Sequence, residues 1–182
     1  MATSDPCDHR DTACVPISQT PTVPSLVIRP FTEAEAKAAA RWTYGPPYDV
    51  YSGAPEDFAR FLDVAEDGAG YYAIVDEDES DELVGYCCFG REARVKGQAE
   101  EPGTVDVGGG VRPDRTSQGL ATLVFPTILE FAGMRFAAER FRTAVAAFNE
   151  RSTRLCQSAG FKAVRRFDGP GGREFLEFAR EV

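Results

Sequence analysis

The stretch Thr104 to Val111 constrains this chain more than any other. It opens as a β-strand, Thr-Val-Asp-Val, and then runs through three consecutive glycines, Gly108, Gly109 and Gly110, before Val111. Interior glycines weaken a strand and mark a bulge or a close approach to the backbone. Directly after it comes Arg112-Pro113-Asp114-Arg115-Thr116-Ser117-Gln118-Gly119-Leu120-Ala121. This polar loop leads into Leu120, Val124, Thr127, Ile128 and Phe131, which recur at helical spacing as far as about Met134. A strand, a short polar loop and a long helix therefore follow one another. The first amides of such a helix have no partner within it, and the helix dipole places positive potential there. That end suits a pyrophosphate. Gly119 leaves the backbone bare for it, while Arg112 and Arg115 bring charge to the same loop.

The rest of the chain supplies one domain around a sheet. Its 182 residues are enough for a sizeable core and too few for two comfortable ones. Residues 1–24 hold Pro6, Pro16, Pro21 and Pro24 with few large apolar side chains, which predicts a disordered or extended arm before a folded domain at 25–182. Leu26 to Ile28 reads as a strand closed by Arg29-Pro30. Thr32 and Glu35 form a capping-box pattern before an alanine-rich helix, Glu33 to Trp42. A second helix is predicted from Pro55 to Glu66. Tyr71 to Val75 and Leu83 to Phe89 pair as a hairpin across an acidic turn, and Arg91 to Pro102 is a charged loop. Pro126, beyond the first turn of the long helix, predicts a kink or a break. Phe141 to Phe148, Lys162 to Phe167 and Glu174 to Phe178 read as strands, with a helix over Asn149 to Ala159. Strands clustered between helices predict an α+β, three-layer α/β domain: a central mixed, mostly antiparallel sheet of six to seven strands flanked by about four helices.

Composition narrows the function. The formal charge is −9, from 20 basic and 29 acidic residues, and such a chain repels phosphate backbones, so nucleic acid is not an expected partner. No apolar run approaches the roughly 20 residues of a membrane span. Met1 to Ser25 has no apolar core of a secretory signal and carries Asp5, Asp8 and Asp11, so the expected address is cytoplasmic. The five cysteines follow no disulfide framework. Cys7, Asp8, His9 and Cys14 have no neighbouring element to hold them in tetrahedral reach, so no metal is expected. Cys87 and Cys88 are adjacent on a strand and point to opposite faces, which makes them core rather than a redox couple.

Two signatures resemble one family. Thr116-Ser117-Gln118-Gly119-Leu120-Ala121, after Val111-x-Pro113, looks like the acetyl-CoA motif of the GNAT acetyltransferases, usually written Q/R-x-x-G-x-G/A, with Thr116 where Gln or Arg is usual. Asn149 through Ala159-Gly160-Phe161 resembles the second signature, an Asn opening a helix that ends in Gly-Phe. The resemblance covers about Leu26 to Phe178. It implies an N-acetyltransferase that moves an acetyl group from acetyl-CoA to a primary amine of a small molecule or peptide. The alternative is a catalytically degenerate module of the same fold that binds acyl-CoA without turning it over. Neither requires a metal. The oligomeric state is not fixed by the residues, and a homodimer is among the states allowed.

The resemblance also distributes roles. A backbone N–H near Gly109 or Gly110 would polarise the thioester carbonyl. The pantetheine arm would run beside Gly110 and Val111 like an extra strand, paired with backbone that a splay leaves free. Arg112, Arg115 and Thr116 to Ala121 would hold the pyrophosphate, and Asn149 would add a contact to the arm besides serving as a helix N-cap. Asp106 is the best-placed carboxylate for a base, with ordered water as the other source. Strand alternation puts it on one face with Gly108 and Gly110, opposite Gly109. The acid that reprotonates coenzyme A is commonly a Tyr five residues before the Phe of Gly-Phe. Here that position is Cys156, which reads either as a proton donor or as a small apolar core residue. Trp42, Tyr44, Tyr48 and Tyr51 form an aromatic, proline-bearing segment suited to an acceptor pocket, or to a satellite core under a loop.

Overall fold

In the computed structural model, residues 24–182 are described. Seven strands form one sheet: β1 (Leu26–Arg29), β2 (Gly70–Asp76), β3 (Glu82–Phe89), β4 (Thr104–Val111), β5 (Arg140–Ala146), β6 (Lys162–Asp168) and β7 (Glu174–Glu181), in the order β1-β2-β3-β4-β5-β7-β6. Every pairing is antiparallel except that of β4 with β5. Helices α2 (Ala121–Arg135) and α3 (Glu150–Ser158) cover one face; α1 (Glu33–Ala39) and a 3-10 helix, Pro55–Leu62, cover the other. The expected α+β, three-layer architecture is what the chain adopts. Cys7, Asp8, His9 and Cys14 lie outside the described residues.

Alternation along the strands assigns the two cores. Ile74, Cys87, Phe89, Val107, Phe141 and Phe178 point toward Val124, Ile128 and Leu129 of α2 and Cys156 of α3. Ala73, Val75 and Leu83 point the other way, under Phe31, Ala36 and Ala39. The capping box at α1 forms as expected, with Thr32 accepting from the Glu35 amide and Glu35 accepting from the Thr32 amide. Helices thus seal both faces of the sheet.

Several boundaries differ from the sequence reading. α1 stops at Ala39 rather than Trp42, and Pro55–Leu62 is a 3-10 helix rather than an α-helix reaching Glu66. α2 runs through Pro126 without interruption. Proline forfeits one hydrogen bond there, and burial of Val124, Ile128, Leu129 and Ala132 holds the helix together across it. β5 ends at Ala146 and β7 extends to Glu181.

Candidate active site

The sheet opens at its centre. β4 meets β5 at only three rungs, Thr104 with Arg140, Val105 with Phe141 and Asp106 with Arg142. From Val107 onward β4 pairs with β3 alone, while β5 pairs with β7 through Ala146. The facing edges of Val107–Val111 and Thr143–Ala146 therefore part, leaving a wedge between them. The register identifies the groups that line it. The Arg112 amide donates to the Val84 carbonyl, so alternation of an antiparallel pair turns the amides and carbonyls of Gly110 and Gly108 toward β3. Those of Gly109 and Val111 turn outward, into the wedge. Tyr44 reaches the same edge, its hydroxyl donating to the Val111 carbonyl at 2.9 Å.

The glycines are there for close packing. A Cβ on Gly109 would stand 2.7 Å from the Tyr86 carbonyl oxygen and 3.2 Å from Ile128 of α2. One on Gly110 would stand 2.9 Å from the Tyr86 ring. Gly109 therefore faces α2 while Gly108 and Gly110 face the opposite layer with Asp106, as alternation predicts.

At the end of β4 the chain crosses a loop into α2. Ser117 and Gly119 both take left-handed backbone, with φ of 66° and 81°. No side chain caps α2, whose N-cap position is Leu120. Among the described residues, the amides of Ser117, Gln118, Gly119, Leu120 and Ala121 donate to no backbone carbonyl outside the helix ladder. Nothing stands within 4 Å of where a Gly119 side chain would begin. A cluster of free amides with open space before it is a cradle for an anion. Thr116 closes the turn by donating to the Pro113 carbonyl at 2.7 Å, and Gln118 donates to the Asp114 carbonyl at 3.0 Å. These two shape the loop with their side chains.

The arginines of this loop point elsewhere. Arg112 is held by Glu82 at 2.8 Å, Asp114 at 2.7 Å and the Leu83 carbonyl at 3.0 Å. Arg115 is held by Glu79 at 2.6 Å and Glu82 at 2.5 Å. The two guanidiniums pull the Glu82 carboxyl down to about 2. Their charge is thus taken up by the β2–β3 hairpin. The basic group at the cradle is Arg151 in the first turn of α3, whose Nη1 donates to the Ser117 hydroxyl at 3.1 Å. Sequence reasoning missed it, although its place two residues after Asn149 was the available signal.

Asn149 caps α3, accepting from the Ser152 amide at 3.0 Å, and its Nδ2 donates to the Tyr51 hydroxyl at 3.3 Å. Tyr51 and Tyr48 both pack on Phe148, and Arg151 lies over the Tyr48 ring at 5.3 Å. The segment Trp42 to Tyr51 therefore straps across the wedge, joined to β4 through Tyr44 and to α3 through Tyr48 and Tyr51. Trp42 stays on the other layer beside Tyr86.

The two side chains considered for proton transfer sit apart from solvent. Asp106 is 2% exposed and accepts from Arg142 Nε at 2.6 Å and from Arg94 Nε at 2.9 Å. Arg142 is held further by the Ala99 carbonyl at 2.7 Å. Cys156 is buried in the core beneath α3, and burial pushes its thiol up to about 12. Among the described residues, no group of three or more His, Cys, Asp and Glu is placed to hold a metal ion.

A split strand pair, a row of free amides and an Asn-capped helix lie at the same end of the sheet, the last two joined by Arg151 and Ser117. A family model described as an acetyltransferase (GNAT) domain matches residues 25–162. The chain belongs to the GNAT acetyltransferase family. Among solved structures, a GNAT-family acetyltransferase from Bacillus anthracis is 18% identical, with a TM-score of 0.66 over 86% of this chain and 94% of that one. The aminoglycoside acetyltransferase AAC(6')-Ib, solved with coenzyme A, is 16% identical with a TM-score of 0.66, covering 86% of this chain and 95% of that one. RimL, a ribosomal L7/L12 alpha-N-protein acetyltransferase solved with coenzyme A, is 16% identical with a TM-score of 0.62, covering 89% and 97%. No curated protein sequence gives a significant match. No helix of this GNAT domain, among the described residues, is long and apolar enough to cross a membrane.

Proposed function

We propose that this GNAT protein transfers an acetyl group from acetyl-CoA to a primary amine, by direct attack of the amine on the thioester. The observation that carries this reading is the row of free amides from Ser117 to Ala121 at the mouth of the β4–β5 wedge. The cradle holds the pyrophosphate, with Thr116 and Gln118 fixing its shape. Arg151, rather than Arg112 or Arg115, supplies the positive side chain. Gly109 and Val111 present backbone groups to the pantetheine arm, Gly110 keeps that strand in register with β3, and Asn149 binds the arm from α3. Bound acetyl-CoA supplies a thioester whose carbonyl carbon is open to an amine.

The Gly109 amide donates toward the carbonyl oxygen as charge develops there. Holding amine and thioester together supplies much of the acceleration. Asp106 serves the fold, since two arginines already occupy both of its oxygens. The amine proton therefore leaves to water. Cys156 fills core, and the departing thiolate takes its proton from solvent, because a thiol pushed to about 12 is a poorer donor than water-borne acid at neutral pH. The acceptor lies against Trp42, Tyr44, Tyr48 and Tyr51, and is a small molecule or a peptide end. The protein acts in the cytoplasm.

The burial of Asp106 and Cys156 also favours a second reading, a module that binds acyl-CoA without turnover. One experiment separates the alternatives. Acetyl-CoA should raise the melting temperature, a ligand at 100 times its Kd contributing about 2.7 kcal/mol. Gly119→Glu should abolish that rise by putting bulk and negative charge into the cradle. A variant that binds coenzyme A normally overturns the placement of the site. Thiol release with a panel of primary amines distinguishes the enzyme from the module.

A further inference from the structure

Tyr86 stands out among the tyrosines at the strap. The hydroxyls of Tyr44, Tyr51 and Tyr71 each have a protein partner: the Val111 carbonyl, Asn149 and Arg60. Tyr48 lies out by Arg151. Among the described residues the Tyr86 hydroxyl has no hydrogen-bond partner, although its ring is wedged between Trp42 at 6.1 Å, Phe61 at 5.7 Å and Tyr71 at 6.0 Å. That packing fixes where the oxygen sits. A Cβ on Gly110 would meet it at 3.2 Å, so the hydroxyl hangs directly over the bare backbone of β4. Gly110 is adjacent to Gly109, whose amide faces the wedge. The side chain is largely buried, yet the hydroxyl is not among the fully buried unpartnered polar atoms, so its tip keeps some contact with solvent.

We propose that the Tyr86 hydroxyl receives the acceptor amine, accepting a hydrogen bond from its N–H as the nitrogen approaches the acyl carbon from the Gly110 face. The inference rests on the acyl-transfer reading above and adds to it the group that aims the nucleophile. The C–N bond forms as the C–S bond breaks, the surplus proton on nitrogen leaves to water, and coenzyme A departs as a thiolate that solvent protonates. Burial raises the phenol well above its ordinary range, so it stays un-ionised while the amine is handled. A neutral phenol accepts one hydrogen bond and leaves the nitrogen lone pair free for attack.

The test is Tyr86→Phe, which removes one oxygen and keeps the ring packing that holds the fold. Coenzyme A affinity by calorimetry, melting temperature, and thiol release from acetyl-CoA with a panel of primary amines are measured on both proteins. The expected result is coenzyme A affinity and melting temperature near wild type, with acceptor kcat/KM about 10- to 100-fold lower, the range for a hydrogen bond to a nitrogen that becomes positively charged as it attacks. Gly110→Ala, whose methyl would press on the Tyr86 ring, should lower acceptor kcat/KM in the same way. Turnover equal to wild type in Tyr86→Phe overturns the inference and leaves the acyl-transfer reading intact. A wild type that binds coenzyme A and releases no thiol with any amine overturns it too, in favour of the binding module. Failure to bind coenzyme A removes the site itself.

Discussion

Asp106 and Arg142 are the last paired rung of β4 and β5, and their side chains close that rung with a 2.6 Å hydrogen bond. Past this ion pair the two strands diverge. The carboxylate and guanidinium, 2% and 1% exposed, therefore pin the vertex of the wedge. Removing one member of such a pair leaves an uncompensated buried charge and costs about 3–5 kcal/mol. Asp106→Asn should lose that much in urea denaturation while the folded fraction keeps most of its turnover. A hundredfold loss of turnover at unchanged stability would instead make Asp106 the base.

Arg151 and Arg115 offer a direct contrast. Arg151 touches Ser117 in the cradle, whereas Arg115 is spent on Glu79 and Glu82. Arg151→Ala should weaken coenzyme A binding by about tenfold, from the loss of one charge-assisted contact. Arg115→Ala should leave it within about twofold. Isothermal titration on the two variants decides which arginine serves the ligand.

Cys156 predicts a pH effect of definite sign. Burial raises the thiols of Cys88 and Cys156 to about 12 and that of Cys87 as well, against an ordinary value of 9.0. Below pH 9 the thiols are neutral in both the folded and unfolded chain, and the fold has its full stability. As pH rises through 9 toward 12 the unfolded chain sheds protons that the folded one retains, and stability falls. Denaturation midpoints at pH 7.5 and 10 should show this decline, and Cys156→Ala should make it shallower. The same variant should acetylate within about twofold of wild type; a large loss would identify the thiol as an acid.

Asn149→Ala removes the cap of α3 and its contact with Tyr51. Loss of the cap costs about 1 kcal/mol. A coenzyme A affinity that falls further than the stability does would show that the side chain also touches the ligand.

Much of this was readable from residues alone. The glycine-rich strand, the polar loop and the long helix follow from local signals, because glycine, strand alternation and helical spacing act over a few residues. The capping box at Thr32 and Glu35 was equally local. What escaped was decided by tertiary partners. Arg112 and Arg115 sit in the loop by sequence, but an acidic hairpin some 30 residues earlier, at Glu79 and Glu82, claims them. Asp106 looked like an available carboxylate because nothing nearby in the chain announced Arg94 and Arg142 as its owners. Arg151 and Tyr86 gain their positions from packing against the strap, which no periodicity encodes. The segment Pro55–Leu62 carries ordinary helical residues, yet it winds as a 3-10 helix against α1 and β2.

The parting of β4 from β5 has a further consequence for the chain before it meets a ligand. Each strand then carries donors and acceptors that no neighbouring strand satisfies in the interior of the sheet, the kind of margin that recruits stray strands from other molecules. A bound ligand that stitches this seam would shield it, so solutions kept with coenzyme A should stay monodisperse on storage longer than solutions of the bare protein.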